Sequence, residues 1–145
     1  MFEIIDDLIE VGVRAVTFSG GGEPLIYKPI VKCIERLAAG GIKVATLTNG
    51  SNLKGKVADA FASHGTWVRV SVDGWSDDSY AEARSVRIGA FTQLLKNMEA
   101  FSKLKSPCEL GVSFIATHAN NDHIYEALEK FKVAGVGHVK VSGAV

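Results

Sequence analysis

Three short runs of this chain carry residue types that could hold a small charged ligand. The first is Ser19-Gly20-Gly21-Gly22-Glu23-Pro24. Consecutive glycines let backbone N–H and C=O groups approach a ligand with no Cβ in the way. Glu23 follows as a carboxylate that attracts a cationic group, and Pro24 stiffens the turn through its fixed φ. The run is a poor phosphate cradle, because it lacks the Lys and Ser/Thr of a P-loop and Glu23 repels an anion. On composition alone, an ordinary glycine-rich strand-to-helix turn with a solvated Glu fits equally well. The second run is Thr48-Asn49-Gly50-Ser51-Asn52, and the third is Ser71-Val72-Asp73-Gly74. Further polar sets occur at Thr117, His118, Asn120 and Asn121, and at Ser142-Gly143.

Metal chemistry is harder to build. His118 and His123 stand near each other, while His64 and His138 are isolated, and zinc needs three or four converging ligands. Cys33 and Cys108 are far apart with no C-x-x-C spacing, so they read as buried free thiols. Trp75, just beyond Asp73-Gly74, either stacks on a ligand ring or packs its own loop. Trp67 reads as a core residue at the start of a strand.

The elements that must position these runs follow from hydrophobic spacing. Helices are predicted over 2–11, 28–39, 53–63, 77–83, 89–104 and 121–134. Between them lie short apolar strands at 14–18, 42–47, 67–72, 110–116 and 139–141. Strands alternating with helices imply right-handed crossovers and a parallel sheet. The strands read as apolar on both faces, as a doubly covered sheet requires. Ligands bind at the C-terminal ends of parallel strands. All the polar runs follow strands, so they should rim one pocket.

Composition narrows the partners. The 145 residues fit one domain, with 16 basic and 16 acidic side chains in balance. That balance removes the electrostatic case for a nucleic-acid partner or an anionic membrane. No apolar run is long enough to span a bilayer. The acidic, amphipathic start is unlike a signal peptide, so a cytoplasmic location is expected.

Taken together, the motifs resemble the radical S-adenosylmethionine superfamily. Val16-Thr17-Phe18-Ser19-Gly20-Gly21-Gly22-Glu23-Pro24-Leu25 is similar to its "GGE" segment, Ala45-Thr46-Leu47-Thr48-Asn49-Gly50 to its "TNG" strand end, and Val70-Ser71-Val72-Asp73-Gly74 to its "S-x-D-G". The order and spacing agree over nearly the whole chain. The resemblance implies an α/β fold, a partial (β/α)6 TIM-like barrel of which the five strands are the second to sixth. It implies that Gly21, Gly22 and Glu23 meet the methionyl amino group of S-adenosylmethionine. Thr48 and Asn49 join the cofactor-binding set. Ser71 and Asp73 sit where family members bond the ribose or the methionine carboxylate, and Asp73 suits the ribose because two carboxylates repel. Arg84 sits where members pair an arginine with the cofactor carboxylate; an exposed salt bridge to Glu82 or Asp78 is the alternative.

The departure from the family pattern concerns the [4Fe–4S] cluster. The family ligates it through C-x3-C-x2-C on the loop after the first strand, which would precede Phe2, and this sequence contains no such triplet. The expectation is therefore a single incomplete core domain, residues 1–145, of an enzyme that reductively cleaves S-adenosylmethionine to a 5′-deoxyadenosyl radical. This chain alone would be inactive, with weak or no cofactor affinity. The alternative is a non-catalytic binding or scaffold module of the same fold. The substrate is not legible. Open sheet edges and apolar side chains turned into the barrel, drawn from Val16, Phe18, Val70, Val72, Phe114, Val139 and Val141, predict a homo-oligomer.

Overall fold

A computed structural model describes residues 1–144. Every predicted element forms, with small shifts at the ends. In chain order they are α1 (Phe2–Glu10), β1 (Ala15–Phe18), α2 (Ile30–Ala39), β2 (Lys43–Thr48), α3 (Gly55–His64), β3 (Gly65–Ser71), α4 (Asp77–Arg84), α5 (Ala90–Ser102), β4 (Glu109–Ala116), α6 (Ile124–Val133) and β5 (His138–Gly143). Two 3-10 turns, Pro24–Ile26 and Asn121–His123, precede α2 and α6.

The five strands form one open sheet in the order β1-β2-β3-β4-β5, and every pairing is parallel. The order never reverses, so there is no switch point of the doubly wound kind. A sheet wound in one direction carries its helices on one face, as in a barrel wall. Burial along the strands agrees. On β3, Val68 and Val70 are fully buried, whereas Trp67, Arg69 and Ser71 between them are only partly so. On β4, Leu110, Val112 and Phe114 are buried, while Ile115 is 44% exposed.

Two expectations fall here. The strands are not apolar on both faces, and the apolar alternate set does not turn toward the open face. Val70, Val72 and Phe114 are fully buried in the core, while Val16, Phe18 and Val139 pack partly against it. Trp67 is not core either. Its ring lies under the Arg69 guanidinium, 5.1 Å away, on the uncovered face. The alternation Val68-Arg69-Val70-Ser71-Val72 is the mark of a strand covered on one face.

The core is built from helix stripes meeting the covered face. α2 buries Ile30, Cys33, Ile34 and Leu37, one side of the helix at the spacing its 3.6-residue turn requires. α5 buries Phe91, Leu94, Met98 and Phe101 in the same way. Phe61, Phe114 and Phe131 are fully buried, and each contributes about 1.5–3 kcal/mol of burial free energy. No helix among the described residues is long and apolar enough to cross a membrane.

The core also fixes one ligand loop. Gly50, at the end of β2, has φ +73, and a Cβ there would collide with Leu94 and Val70. Both the left-handed backbone and the close approach demand glycine. Gly50→Ala should therefore cost about 2 kcal/mol or more from strain plus overpacking. A lower urea midpoint at unchanged slope would show it.

Candidate functional site

The loop after β1 is held by its own carboxylate. Glu23 is the N-cap of the 3-10 turn, and its Oε1 accepts from the Leu25 N–H at 3.0 Å. Pro24 occupies the first position with its φ preset, and Leu25 is buried beneath. The same Oε1 accepts from the Thr48 hydroxyl at 2.5 Å, and Oε2 accepts from the Asn49 N–H at 2.7 Å. Thr48 Oγ1 in turn accepts from the Gly50 N–H at 2.9 Å. The first two motifs are thus one hydrogen-bonded unit. Thr48 has spent its only donor on Glu23, so it positions the carboxylate. Around this anchor Gly20, Gly21 and Gly22 take φ values of +72, +63 and +137, with nothing within 4 Å of where a Cβ would stand. Their backbone faces open space.

The third motif is tied down separately. Asp73 Oδ1 accepts from the Ile115 N–H at 2.9 Å, and Oδ2 pairs with Arg84 Nη2 at 2.5 Å. Arg84 lies in the last turn of α4, where the helix dipole favours a cation. α4 is started by a capping box between Ser76 and Ser79, immediately after the motif. Arg84 takes Asp73 as its partner, neither Glu82 nor Asp78. Its Nε is buried without a hydrogen-bond partner.

The residues do not all share one pocket. Ser19, Gly22, Glu23, Thr48, Asn49, Ser71 and Arg84 line a cleft of about 340 Å³. Asp73 instead lines a second cavity of about 420 Å³ with Trp75, Glu82, Ile115, Thr117 and Asn120. The Asp73–Arg84 pair stands between them, and Gly21 lies on neither wall. Trp75 does pack its loop: its ring stacks on His123 with centroids 4.1 Å apart.

Two contributors escaped the sequence reading. Asn97 is buried on α5 and donates from Nδ2 to the carbonyls of Gly50 and Ser51 at 3.0 and 3.2 Å. An amide standing between Leu94 and Met98 in an apolar helix stripe was the available signal. Tyr80 is buried against Phe91. Burial raises its phenol above the ordinary value, opposed by the nearby Arg84 charge and reinforced by Asp73 and Glu23. Nothing in the spacing of α4 marks it as part of the site. Asn120, read only as a rim residue, joins the third motif to β4 through bonds to the Asp73 and Ile115 carbonyls at 3.1 and 2.9 Å.

The family model described as "Radical SAM superfamily" matches residues 1–131. The chain belongs to this superfamily. A GTP 3′,8-cyclase of Pseudomonas putida (strain GB-1) is 24% identical over 140 residues, 92% of this chain. The chain spans only 39% of that relative's length. Streptococcus suis SuiB bound to S-adenosylmethionine superposes with a TM-score of 0.79 at 18% identity, over 99% of this chain and 32% of that one. Native anSMEcpe with bound AdoMet and the Kp18Cys peptide gives 0.78 at 17% identity, over 100% and 43%. At that identity the two superpositions establish the radical SAM fold alone.

The two thiols are poor metal ligands for a physical reason. Cys33 is fully buried, and Cys108 nearly so. Desolvation raises the Cys33 pKa, and desolvation with the neighbouring Glu109 charge pushes Cys108 up to about 12. Among the described residues no group of three His, Cys, Asp or Glu side chains could hold a metal. Both thiols should stay protonated through pH 8 and resist iodoacetamide in the folded chain, then label rapidly in urea. Stoichiometric labelling of the native chain within minutes would contradict the packing around them.

Proposed function

We propose that this chain is the S-adenosylmethionine-binding part of a radical SAM enzyme. The observation that supports it most is the pairing of opposite charges on one cleft: Glu23 on one side, Arg84 on the other. The methionyl end of the cofactor is a zwitterion and needs both. Glu23 accepts three protein hydrogen bonds, and a carboxylate has about four acceptor sites, so one is left for the ammonium. Gly20 and Gly22, on the wall of the cleft, bring backbone to the same group. The Arg84 guanidinium, on the wall of the cleft, suits the carboxylate. Ser71 lies between them, and Asp73 serves the ribose from the adjoining cavity.

In the parent reaction the bound cofactor, with a [4Fe–4S] cluster, supplies a 5′-deoxyadenosyl radical. The residues of this chain fit the cofactor and not the cluster. Cys33 and Cys108 sit in helix and strand packing on different elements, both shielded from solvent. The proposal is therefore binding without radical formation by this chain alone. A binding or scaffold role would use the same cleft.

Calorimetry with S-adenosylmethionine tests the reading. Weak binding is expected, and Glu23→Gln and Arg84→Gln should each weaken it about tenfold, the value of a charge-assisted hydrogen bond. Reconstitution with iron and sulfide, followed by dithionite, should give no 5′-deoxyadenosine. Undiminished binding by both variants would defeat the assignment, and cofactor cleavage would defeat the claim that this chain alone forms no radical.

Self-association is part of the same proposal, now on narrower grounds. The helices cover the apolar face except at Val141, which lies opposite Phe114 and is 44% exposed, so this patch and the outer edges of β1 and β5 are the surfaces that invite pairing. Light scattering at micromolar concentration should give a mass above that of one chain, and a monomer would remove the idea.

A further inference from the structure

The uncovered face of the sheet carries a built arrangement that the cofactor cleft does not use. Arg69 stands on β3 opposite Leu47 of β2 and Gly111 of β4. Ser71 lines the cofactor cleft, and Arg69 lies one pleat deeper on the same face, about 6.6 Å along the strand, level with Leu47 at the floor of the cleft. Among the described residues no carboxylate lies within ion-pair distance of Arg69. Its Nε is shielded from solvent and has no hydrogen-bond partner.

The guanidinium is nevertheless held in place. Trp67 lies beneath it, and His138 Nε2 lies 3.4 Å from its Nη2. Arginine can only donate, so this His138 nitrogen must accept, and its proton resides on Nδ1. That nitrogen faces Glu109 Oε1 at 3.2 Å. Glu109 is thereby kept one imidazole away from Arg69 and does not neutralise it. Gly111 lies between Arg69 and His138 in the pairing register, and a Cβ there would collide with the His138 ring. The missing side chain is what lets His138 reach across β4.

A cation stacked on an aromatic face and turned by a histidine, with Nη1 free of protein partners among the described residues, is prepared to donate to a planar or tetrahedral oxyanion. We propose that Arg69 recognises an oxyanion group of the substrate, a carboxylate or a phosphate, on the uncovered face beneath the cofactor cleft. That the ligand is a substrate rests on the reading of that cleft as a cofactor site. Trp67 and His138 are positioning residues, and Arg69 makes the contact.

The test is a titration of the whole chain with sodium pyrophosphate or sodium succinate at constant ionic strength, following the Arg69 Nε–H resonance. A saturable shift with one of them is expected, and the better ligand tells phosphate from carboxylate. Arg69→Lys should weaken binding about tenfold by losing the bidentate edge, and Arg69→Gln should abolish it. His138→Ala should weaken it about fivefold, as loss of one orienting hydrogen bond would, while the melting transition remains cooperative. No shift with either salt, a shift equalled by chloride, or full affinity in Arg69→Gln would overturn the proposal. A separate S-adenosylmethionine titration keeps the two readings apart. Cofactor binding without anion binding defeats this inference alone; anion binding without cofactor binding defeats the cofactor reading and with it the assignment of the ligand as a substrate, and leaves only the oxyanion contact of Arg69.

Discussion

Glu23 joins two strands through one carboxylate. Its oxygens hold the turn that follows β1 and the backbone that leaves β2. Glycines 20–22 have no side chains to pack, and their φ values are open to many alternatives. Such a loop keeps one shape only if something at its end is fixed. The buried Leu25 and the bonds to Thr48 and Asn49 do this. A carboxylate that merely waited in solvent for a cation would leave the loop loose, and ligand binding would then have to order it at a cost of about 1–2 kcal/mol per residue.

The rest of the site is arranged on the same plan, with each strand end secured by a neighbouring element. Asn97 of α5 satisfies the carbonyls of the loop after β2, and Asn120 does so for the loop after β3. Asp73 binds both the backbone of β4 and the end of α4. The motif residues thus divide between those that face the cleft and those that hold the others. Thr48 does both: it lines the cleft, and its only donor is spent on Glu23.

Much of this was legible in the sequence because it depends on local chemistry. Apolar spacing located the helices that bury a stripe; α4 lies in a polar stretch, buries only Tyr80 and carries no such spacing. The order of the three motifs identified the family, because those residues answer to backbone geometry and ligand charge. What stayed hidden depends on contacts between distant segments. The alternation Val68-Arg69-Val70-Ser71-Val72 does mark one covered face on β3, but Leu47 and Ile115 on the open face carry no such mark. Asn97 looks like a solvated amide until α5 is laid against the loop after β2. The pairing of Arg84 with Asp73 in preference to Glu82 is likewise a matter of where the end of α4 arrives. The separation of the two cavities follows from that pair and could not be read from either residue alone.

The one-sided covering of the sheet has a bearing on how such a fold changes over generations. Most residues of the alternate strand set, among them Thr17, Trp67, Ser113 and Lys140, lie outside the helix-covered core, with Ala45 and Gly111 as buried exceptions. Replacing these side chains creates no cavity among the phenylalanines and valines on the other side. Their cost to stability is small, while their effect on what can rest against the sheet is large. Stability and specificity are thus assigned to opposite faces of the same strands, and one can drift while the other is conserved.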